Sequence, residues 1–296
     1  MTAGIEFKPV LMEDRELFAE LFGKYPPEHS DYMHSIMITW AGYMMYSYGW
    51  MGDHLLIMTE CCGERNLRPP VGEFELEAME RALELSKEMG CMHPFAMVGE
   101  RTASWLRSEM PQLELESHRD LFDYAYLSRD LSELSGKRYL KVRNQLNRFR
   151  RENEYAVEEI DGGNIEDVRD FLKRWCIQRG CHDDPFLMHE RGATMKALDN
   201  LAELGLSGLA IRIDGSVKAF TIFEEMRSDM AVIHFEKADQ DIPGLYQAIN
   251  QETASRLAHR YEFINREADM GLEGLRRAKM RYRPHSFMEV YHVKGW

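Results

Sequence analysis

The sequence predicts a mixed α/β fold built from two units of similar topology. Short apolar runs alternate with segments of helical periodicity throughout the second half of the chain. One of these patterns, a strand followed by a helix and another strand, indicates a parallel strand pair within a mixed sheet. The first half shows the same order of elements. We therefore expect a duplicated unit, with one larger sheet as the alternative.

The elements of the second half follow in order. After helices at Ile165–Arg179 and Arg191–Leu204, the turn Asp214-Gly215 joins two predicted strands, because this dipeptide supplies the positive φ angles of a tight hairpin. The two strands of this hairpin are Leu206–Ile213 and Val217–Glu225. The later elements are a strand at Met230–Phe235, a helix from Ile242 to about His259, a strand at Tyr261–Arg266, a helix at Gly271–Arg281 and a strand at Ser286–Val293.

The first half repeats this order after a helix at Asp14–Phe22. Its predicted elements are strands at Gly42–Tyr48 and His54–Glu60, a helix at Glu73–Met89, a strand near Pro94–Val98, a helix at Thr102–Met110 and a strand at Phe122–Leu127. The expected domains are residues 1–129, mainly structural, residues 130–155, a basic connecting helix, and residues 156–296, which hold the presumed active site.

Composition and charge exclude several classes of protein. With 296 residues and a net charge of -13, the chain is long enough for a real core and too acidic for a surface that binds nucleic acid all over. No window is apolar enough to span a membrane, and the N-terminus lacks the pattern of a secretion signal, so we expect a cytoplasmic protein. The five cysteines lack zinc-finger spacing, so we expect reduced thiols and no structural zinc.

A local basic cluster stands out against this acidic background. Leu131–Glu154 is predicted to be helical, and its Gly136–Arg151 section carries seven basic residues and no acidic one. Such a cluster attracts a phosphate-bearing ligand such as tRNA, a lipid headgroup or a nucleotide. The alternative is a solvated helix face paired with acidic neighbours.

Polar residues are concentrated where the predicted strand Tyr261–Arg266 runs into a helix. Because ligands bind at the carboxyl ends of strands in α/β sheets, Asn265, Glu267 and Asp269 are candidates for catalysis. Helix capping would explain Asp269 alone. Arg276 and Lys279 lie three residues apart on one helix face, where they could hold an anionic group.

The other strand of the presumed parallel pair ends in His234–Asp239, and the crossover helix opens at Pro243-Gly244. Backbone amides at such a helix start suit an anion such as pyrophosphate, although a simple turn is the alternative. The segment Cys181–Asp184 with His189 and Glu190 has the residue types of a metal site but no recognised spacing, so we expect a substrate lid there and no metal. Motifs of serine hydrolases, P-loop NTPases, Rossmann dehydrogenases and zincins are absent.

Four blocks of sequence together resemble the DUF2156 family, which is related to the C-terminal catalytic domain of phosphatidylglycerol lysyltransferase. The blocks are Asp123–Phe149, His234–Asp239, Ile242–Glu252 and Ile264–Pro284. The resemblance covers nearly the whole chain and implies a tandem pair of GNAT-like (N-acyltransferase) folds. It also implies an acyl or aminoacyl transferase, since the lysyltransferases move an amino acid from aminoacyl-tRNA to a lipid headgroup.

The chain departs from its relatives at two places. Asp269–Arg276 does not have the form found in the lysyltransferases, which leaves a lipid headgroup and a small-molecule amine or hydroxyl as alternative acceptors. Ordinary GNAT enzymes hold the CoA pyrophosphate with a [QR]-x-x-G-x-[GA] loop. Here Asp241 and Tyr246 replace the first and last of these residues, and only Gly244 is kept. A carboxylate beside a pyrophosphate is unfavourable, which disfavours CoA as donor relative to aminoacyl-tRNA.

These observations predict a mechanism in which an amine or hydroxyl attacks an activated carbonyl. The reaction would take place in the groove between the strands ending at Phe235 and Arg266. Such chemistry needs a base, an oxyanion donor and a cationic clamp. We assign Glu236 or Asp269 as base and Arg276 with Lys279 as clamp. The expected contacts to substrate are Lys141, Arg143, Asn144, Lys237, Gly244, Tyr246 and Asn250. The alternatives are an acyl-CoA-dependent N-acyltransferase and a non-catalytic protein that binds an anionic ligand.

Overall fold

A computed structural model describes residues 4–295 of the chain. These residues form two compact units, the first from residues 4–122 with 288–295 and the second from residues 123–287. The mixed α/β architecture expected from the sequence is confirmed. Each unit has its own sheet and its own hydrophobic core.

The first unit contains two small sheets. One has the strand order β1-β2-β3-β4 and the other the order β5-β14-β6. The strands are β1 (Lys8–Pro9), β2 (Met45–Met51), β3 (His54–Cys61), β4 (Glu64–Leu67), β5 (Val98–Gly99), β6 (Leu115–Ser117) and β14 (Val290–Val293). The helices are α1 (Arg15–Lys24), α2 (His34–Thr39), α3 (Leu76–Glu88) and α4 (Glu100–Glu109).

The second unit is built on one seven-stranded sheet of order β13-β7-β12-β11-β10-β9-β8. Its strands are β7 (Asp123–Leu127), β8 (Ala156–Glu159), β9 (Ser207–Ile213), β10 (Ser216–Arg227), β11 (Met230–Ala238), β12 (Phe263–Asn265) and β13 (Ser286–Met288). Its helices are α5 (Ser128–Glu133), α6 (Leu140–Glu152), α7 (Ile165–Arg179), α8 (Pro185–Asp199), α9 (Leu201–Leu204), α10 (Leu245–Leu257) and α11 (Glu273–Met280).

Two predictions about this sheet are confirmed. The Asp214-Gly215 turn joins β9 and β10 as an antiparallel hairpin, and both turn residues have positive φ. The crossover through α10 places β11 and β12 parallel, with Met230 opposite Phe263 and Val232 opposite Asn265. Because β12 ends at Asn265, opposite Val232, β11 runs on beyond it to Ala238.

The division of the chain differs from the expected domain ranges 1–129, 130–155 and 156–296. Strand β7 pairs with β12, so the second unit begins at Asp123. The predicted strand Ser286–Val293 is two strands, since β13 belongs to the seven-stranded sheet while β14 pairs with β5 and β6. Hydrophobic pattern cannot reveal this difference, because an apolar segment looks the same whichever sheet it joins.

The predicted helix Leu131–Glu154 is also interrupted. Helix α5 ends at Leu134, which has φ of 48°, and the chain turns at Gly136 before α6 begins. The apolar face of α6, formed by Val142, Leu146 and Phe149, is buried in the core of the second unit. The basic segment is therefore part of the second unit rather than a connector.

The expectation of reduced thiols is wrong at Cys181. The structure links Cys176 to Cys181 in a disulfide, because the left-handed turn at Gly180 brings Cys181 back beside the last turn of α7. The segment expected to be a lid is a short 3-10 turn followed by α8, whose first amides are capped by the Asp184 carboxylate. Within residues 4–295, no helix is long and apolar enough to cross a membrane.

Candidate functional site

The candidate site lies along the second half of β11, beyond the point where its parallel neighbour β12 ends. A register shift between β10 and β11 at His234 interrupts the alternation of side chains along β11. Glu236 contacts Asn250 on α10, whereas Lys237 contacts Glu190 on α8. Strand β12 ends at Asn265, and the chain continues through Arg266 and Glu267. Among the polar residues that the sequence suggested, direct contacts join Glu236 to Asn250, Asn265 to Glu267, and Asp269 to Arg276.

Glu236 is held by one cation and one amide. Its carboxylate accepts hydrogen bonds from Arg266 Nη2 at 2.9 Å and from Asn250 Nδ2 at 3.2 Å. The Arg266 guanidinium also lies over the Tyr282 and Tyr126 rings, 4.9 and 5.8 Å from their centroids. This arrangement fixes Arg266 in place and balances the charge of Glu236.

Three buried polar atoms around this pair have no hydrogen-bond partner among the described residues: Arg266 Nη1, Asn250 Oδ1 and Thr221 Oγ1. Thr221 lies directly opposite Glu236 in the register of β10 and β11. Buried polar groups normally have partners, and leaving one unpaired is costly. These atoms are therefore the groups around the Glu236–Arg266 pair with unused hydrogen-bonding capacity.

His234 links three strands through two carboxylates. Its Nδ1 lies 2.7 Å from Glu267 Oε1, and its Nε2 lies 2.8 Å from Glu224 Oε1. Although burial opposes a charge here, the two carboxylates raise the pKa of His234 to about 10. His234 is thus a cation at neutral pH, with both ring N–H groups donating. Sequence analysis did not assign His234 a role in the site.

Glu267 has a strained backbone supported by its neighbours. Its φ of 55° is unfavourable for a residue with a side chain. The Asn265 side chain stabilises this conformation by accepting a hydrogen bond from the Glu267 amide at 2.7 Å and donating to Asp123 at 2.8 Å. Asn265 is fully buried, so it positions Glu267 and is poorly placed to contact a substrate. Burial raises the pKa of Glu267 against the opposing effect of His234.

Asp269 is a buried, fully bonded carboxylate. It accepts two hydrogen bonds from Arg276 at 2.8 Å, one from the Gly271 amide at 2.9 Å and one from the Tyr124 hydroxyl. Although burial opposes ionisation, these donors lower the pKa of Asp269 to about 2. Such a carboxylate is a poor proton acceptor near neutral pH. Asp269 holds the turn before α11 through the Gly271 amide, whereas Leu272 is the N-cap of α11 and no side chain caps it, so the structure supports neither helix capping nor the role of base for Asp269.

The two expected clamp residues both have internal partners. Arg276 is paired with Asp269, and Lys279 Nζ donates to the backbone carbonyls of Arg266 and Glu267. Lys279 is buried, and burial together with Arg266 lowers its pKa to about 8. In this arrangement Lys279 ties α11 to the end of β12.

Other predicted contacts lie outside the cluster. Lys237 pairs with Glu190 on α8 at 2.6 Å and covers the Trp175 ring, on the opposite side of the sheet from Glu236. Gly244 has φ of 89°, and a Cβ there would lie 2.5 Å from the Gln145 carbonyl oxygen on α6. The close packing of α10 on α6 explains why this position is a glycine. Tyr246 is partly buried against the core of the second unit.

The start of α10 does not fit the pyrophosphate of CoA. The α6 backbone occupies the space beside Gly244. The preceding loop carries Asp239 and Asp241, which adds negative charge where a diphosphate would need cations. The Asp241 carboxylate accepts a hydrogen bond from Gln178 at 2.6 Å. Within residues 4–295, no group of three or more His, Cys, Asp or Glu is arranged to hold a metal ion.

The basic segment divides into paired and unpaired residues. Arg138, Arg148 and Arg150 pair with Asp130, Glu152 and Glu252 respectively. Arg143, an expected phosphate contact, instead donates to the Leu134 and Gly136 carbonyls and so stabilises the turn before α6.

An exposed polar face remains on α6 and the turn before it. Its members share a spacing of three or four residues and lie opposite the buried apolar face; we call them the basic stripe: Lys137, Lys141, Asn144, Arg148 and Arg151. Three of them, Lys137, Lys141 and Arg151, have no partner within the described chain. The stripe can therefore contact phosphates without first breaking an ion pair at these three positions.

Two α/β units in tandem, with a polar cluster at the ends of a parallel strand pair, define a tandem GNAT-like protein. The sequence matches the family described as phosphatidylglycerol lysyltransferase, C-terminal, over residues 22–294. The chain belongs to this family. Fold and family together indicate a GNAT-like transferase.

Solved structures agree with this assignment. A conserved protein of unknown function from Bacteroides thetaiotaomicron is 30% identical with a TM-score of 0.90, and the match covers 98% of this chain and 100% of that one. The C-terminal DUF2156 domain of a putative lysylphosphatidylglycerol synthetase from Agrobacterium fabrum is 15% identical with a TM-score of 0.65, and the match covers 96% of this chain and 92% of that one. L-PGS from Bacillus licheniformis is 13% identical with a TM-score of 0.63, and the match covers 95% of this chain and 92% of that one. Comparison with curated proteins finds no significant match.

Proposed function

We propose that this chain transfers an aminoacyl group from aminoacyl-tRNA to an amine or hydroxyl of a lipid headgroup or small molecule. The observation that supports it most is the direct packing of α6, which carries the basic stripe, on α10, which carries Asn250. Because Asn250 donates a hydrogen bond to Glu236, helix α10 connects the helix that carries the basic stripe to the polar cluster. This arrangement suits a donor with both a polyanionic backbone and a reactive carbonyl.

The chemistry assigns roles to the cluster. The acceptor nitrogen or oxygen attacks the ester carbonyl, its proton passes to a base, and the 3′-oxygen of the tRNA leaves with a proton. Glu267 is the best base, because its side chain is 27% exposed, against 12% for Glu236 and 0% for Asp269. A raised pKa also suits a proton acceptor at neutral pH.

The developing oxyanion needs a fixed donor. Arg266 supplies one through Nη1, which has no partner among the described residues, while its Nη2 is used by Glu236. The guanidinium is already oriented by two tyrosine rings, so little reorganisation is required when charge develops. Arg276 and Lys279 then support the site from α11 rather than touching the substrate.

The first test measures binding of a charged tRNA pool across salt concentrations. Reversing the unpaired cations (Lys137→Glu, Lys141→Glu, Arg151→Glu) should weaken binding and reduce the salt slope by about one per side chain. The control reverses three exposed cations elsewhere, Lys24→Glu, Lys173→Glu and Arg256→Glu, with the same change of net charge. Equal loss in both variants, or no loss in either, would contradict the role of the stripe.

The second test measures loss of the aminoacyl ester in the presence of anionic phospholipid or a mixture of small amines. Glu267→Gln should slow it by about 10²–10⁴-fold and leave tRNA binding unchanged, whereas Glu252→Gln, on α10 away from the cluster, should retain activity. Binding of tRNA without turnover would support the non-catalytic alternative. Binding of CoA without tRNA would support the acyl-CoA-dependent alternative.

A further inference from the structure

Two adjacent cysteines, Cys61 and Cys62, lie at the tip of the hairpin that joins β3 and β4 in the first unit. Their sulfur atoms are 3.3 Å apart. Cys62 is exposed and Cys61 is partly buried, whereas Cys91, the other free cysteine of the described chain, is buried. We call Cys61 and Cys62 the thiol pair. The candidate site described above belongs to the second unit, so the thiol pair needs an explanation of its own.

The backbone of the turn gives no folding reason for a cysteine at position 62. Cys61 pairs with Glu64, so Cys62 and Gly63 are the two residues of the turn. Both have positive φ, 56° and 82°, as in a type I′ turn, which favours asparagine, aspartate or glycine over other residues. Because Cys62 is also exposed, packing does not offset this conformational cost. The Cys62 side chain therefore stabilises neither the turn nor a core.

The spacing of the backbone decides what the thiol pair can bind. Cys61 and Cys62 are joined by a trans peptide bond, which holds their Cα atoms about 3.8 Å apart. Disulfides normally join Cα atoms that are about 4.4–6.8 Å apart, and the Cα atoms of Cys176 and Cys181 are 5.2 Å apart. A direct bond between Cys61 and Cys62 would therefore strain the turn. An atom that bridges the two sulfurs lets them stay close to their present separation.

The surroundings of Cys61 favour its neutral thiol. Burial and the Cys62 side chain raise the pKa of Cys61, and the nearby negative charge of Glu64 acts in the same direction. Cysteines that attack single electrophiles or exchange disulfides usually have a lowered pKa. The thiol pair is therefore better suited to a ligand that condenses with two neutral thiols at once than to chemistry that needs one thiolate.

We infer that the thiol pair is a binding site for a soft, thiophilic centre that takes two sulfur ligands, of which trivalent arsenic is the representative. With phenylarsine oxide, two As–S bonds form while the bond between arsenic and oxygen breaks, and the two thiol protons leave with the oxygen as water. Arsenic stays trivalent and the sulfurs stay reduced, so no oxidant or reductant is needed. Two sulfurs on one turn bind the same atom as a chelate, which strengthens binding through a high effective concentration.

The test is titration of the full chain with phenylarsine oxide, followed by intact mass measurement and alkylation of the remaining thiols. No reductant is added, so the disulfide between Cys176 and Cys181 stays intact and does not compete. The wild type should bind one arsenic and lose alkylation at Cys61 and Cys62 together. Cys61→Ser and Cys62→Ser should each weaken binding by about 10²-fold or more, since each leaves one thiol of the pair. Cys91→Ala should bind like the wild type.

A further variant separates the site from the stability of the turn. Cys62→Asn supplies the residue that the turn conformation favours, so its urea midpoint should equal or exceed the wild-type value while arsenic binding falls as in Cys62→Ser. A lower midpoint would give Cys62 a structural role and overturn the inference. So would absence of arsenic from the wild type, or wild-type binding by a variant that lacks either thiol. Ready oxidation of the thiol pair to a disulfide by glutathione disulfide would also overturn it, because the pair would then be a redox couple rather than a chelate.

Discussion

Both units bury an arginine between two tyrosines and a carboxylate, yet only one of these arginines belongs to a candidate site. In the first unit Arg68 lies over Tyr32 and Tyr46 and pairs with Asp31. In the second, Arg266 lies over Tyr282 and Tyr126 and pairs with Glu236. The same local chemistry therefore has two different surroundings.

The difference lies in the polar neighbours. Arg68 donates to both the carbonyl and the carboxylate of Asp31, whose other oxygen accepts from Tyr46 at 3.1 Å. Each arginine has one buried nitrogen without a partner in the described chain, but around Arg266 the side chains of Thr221 and Asn250 also present such atoms. A buried ion pair is therefore weak evidence for a site. Unpaired polar atoms converging beside it are stronger evidence.

The largest expected effect tests the structural role of Arg68. Replacing it by methionine leaves the Asp31 carboxylate without its cation, so the free energy of unfolding should fall by about 3–5 kcal/mol. Urea unfolding measures this loss, and Arg68→Met combined with Asp31→Asn should recover part of it. A loss below about 1 kcal/mol would show that the pair behaves like a surface ion pair.

His234→Gln should have the next largest effect, about 3 kcal/mol, since Glu224 and Glu267 would lose the cation between them. The raised pKa of His234 means that its stabilisation is fully present below about pH 6.5 and disappears as pH rises towards 10. The wild type should therefore lose stability over this interval, and the variant should lose much less. If the free energy of unfolding fell equally in the two proteins between pH 6.5 and pH 10, the result would argue against a charged His234.

Asp269→Asn should cost about 2 kcal/mol near neutral pH. The lowered pKa means that the stabilisation is present above about pH 3.8 and is lost as pH falls through about 2. Urea unfolding from pH 5 to pH 2 should thus be flatter for the variant than for the wild type. Aminoacyl transfer at neutral pH should change far less than in Glu267→Gln; an equal loss in the two variants would restore Asp269 as a candidate base.

Sequence pattern predicted much of the second unit because its information is local. The hairpin at Asp214-Gly215 follows from turn chemistry, and the parallel pair β11–β12 follows from the length of the crossover through α10. Local patterns could not predict that β7 joins the second sheet or that Ser286–Val293 divides between two sheets.

The roles of individual side chains depended on contacts between distant segments. The sequence by itself determined the residue types at the strand ends, the concentration of basic residues before and within α6, and the α/β order. Only the tertiary structure decided that Asp269 is bound by Arg276 and Tyr124, that Arg143 holds a turn, and that the Glu267 side chain stays 27% exposed. The physical reason is that a charged group acts according to its partners and burial, and both are set by chain segments far apart in sequence.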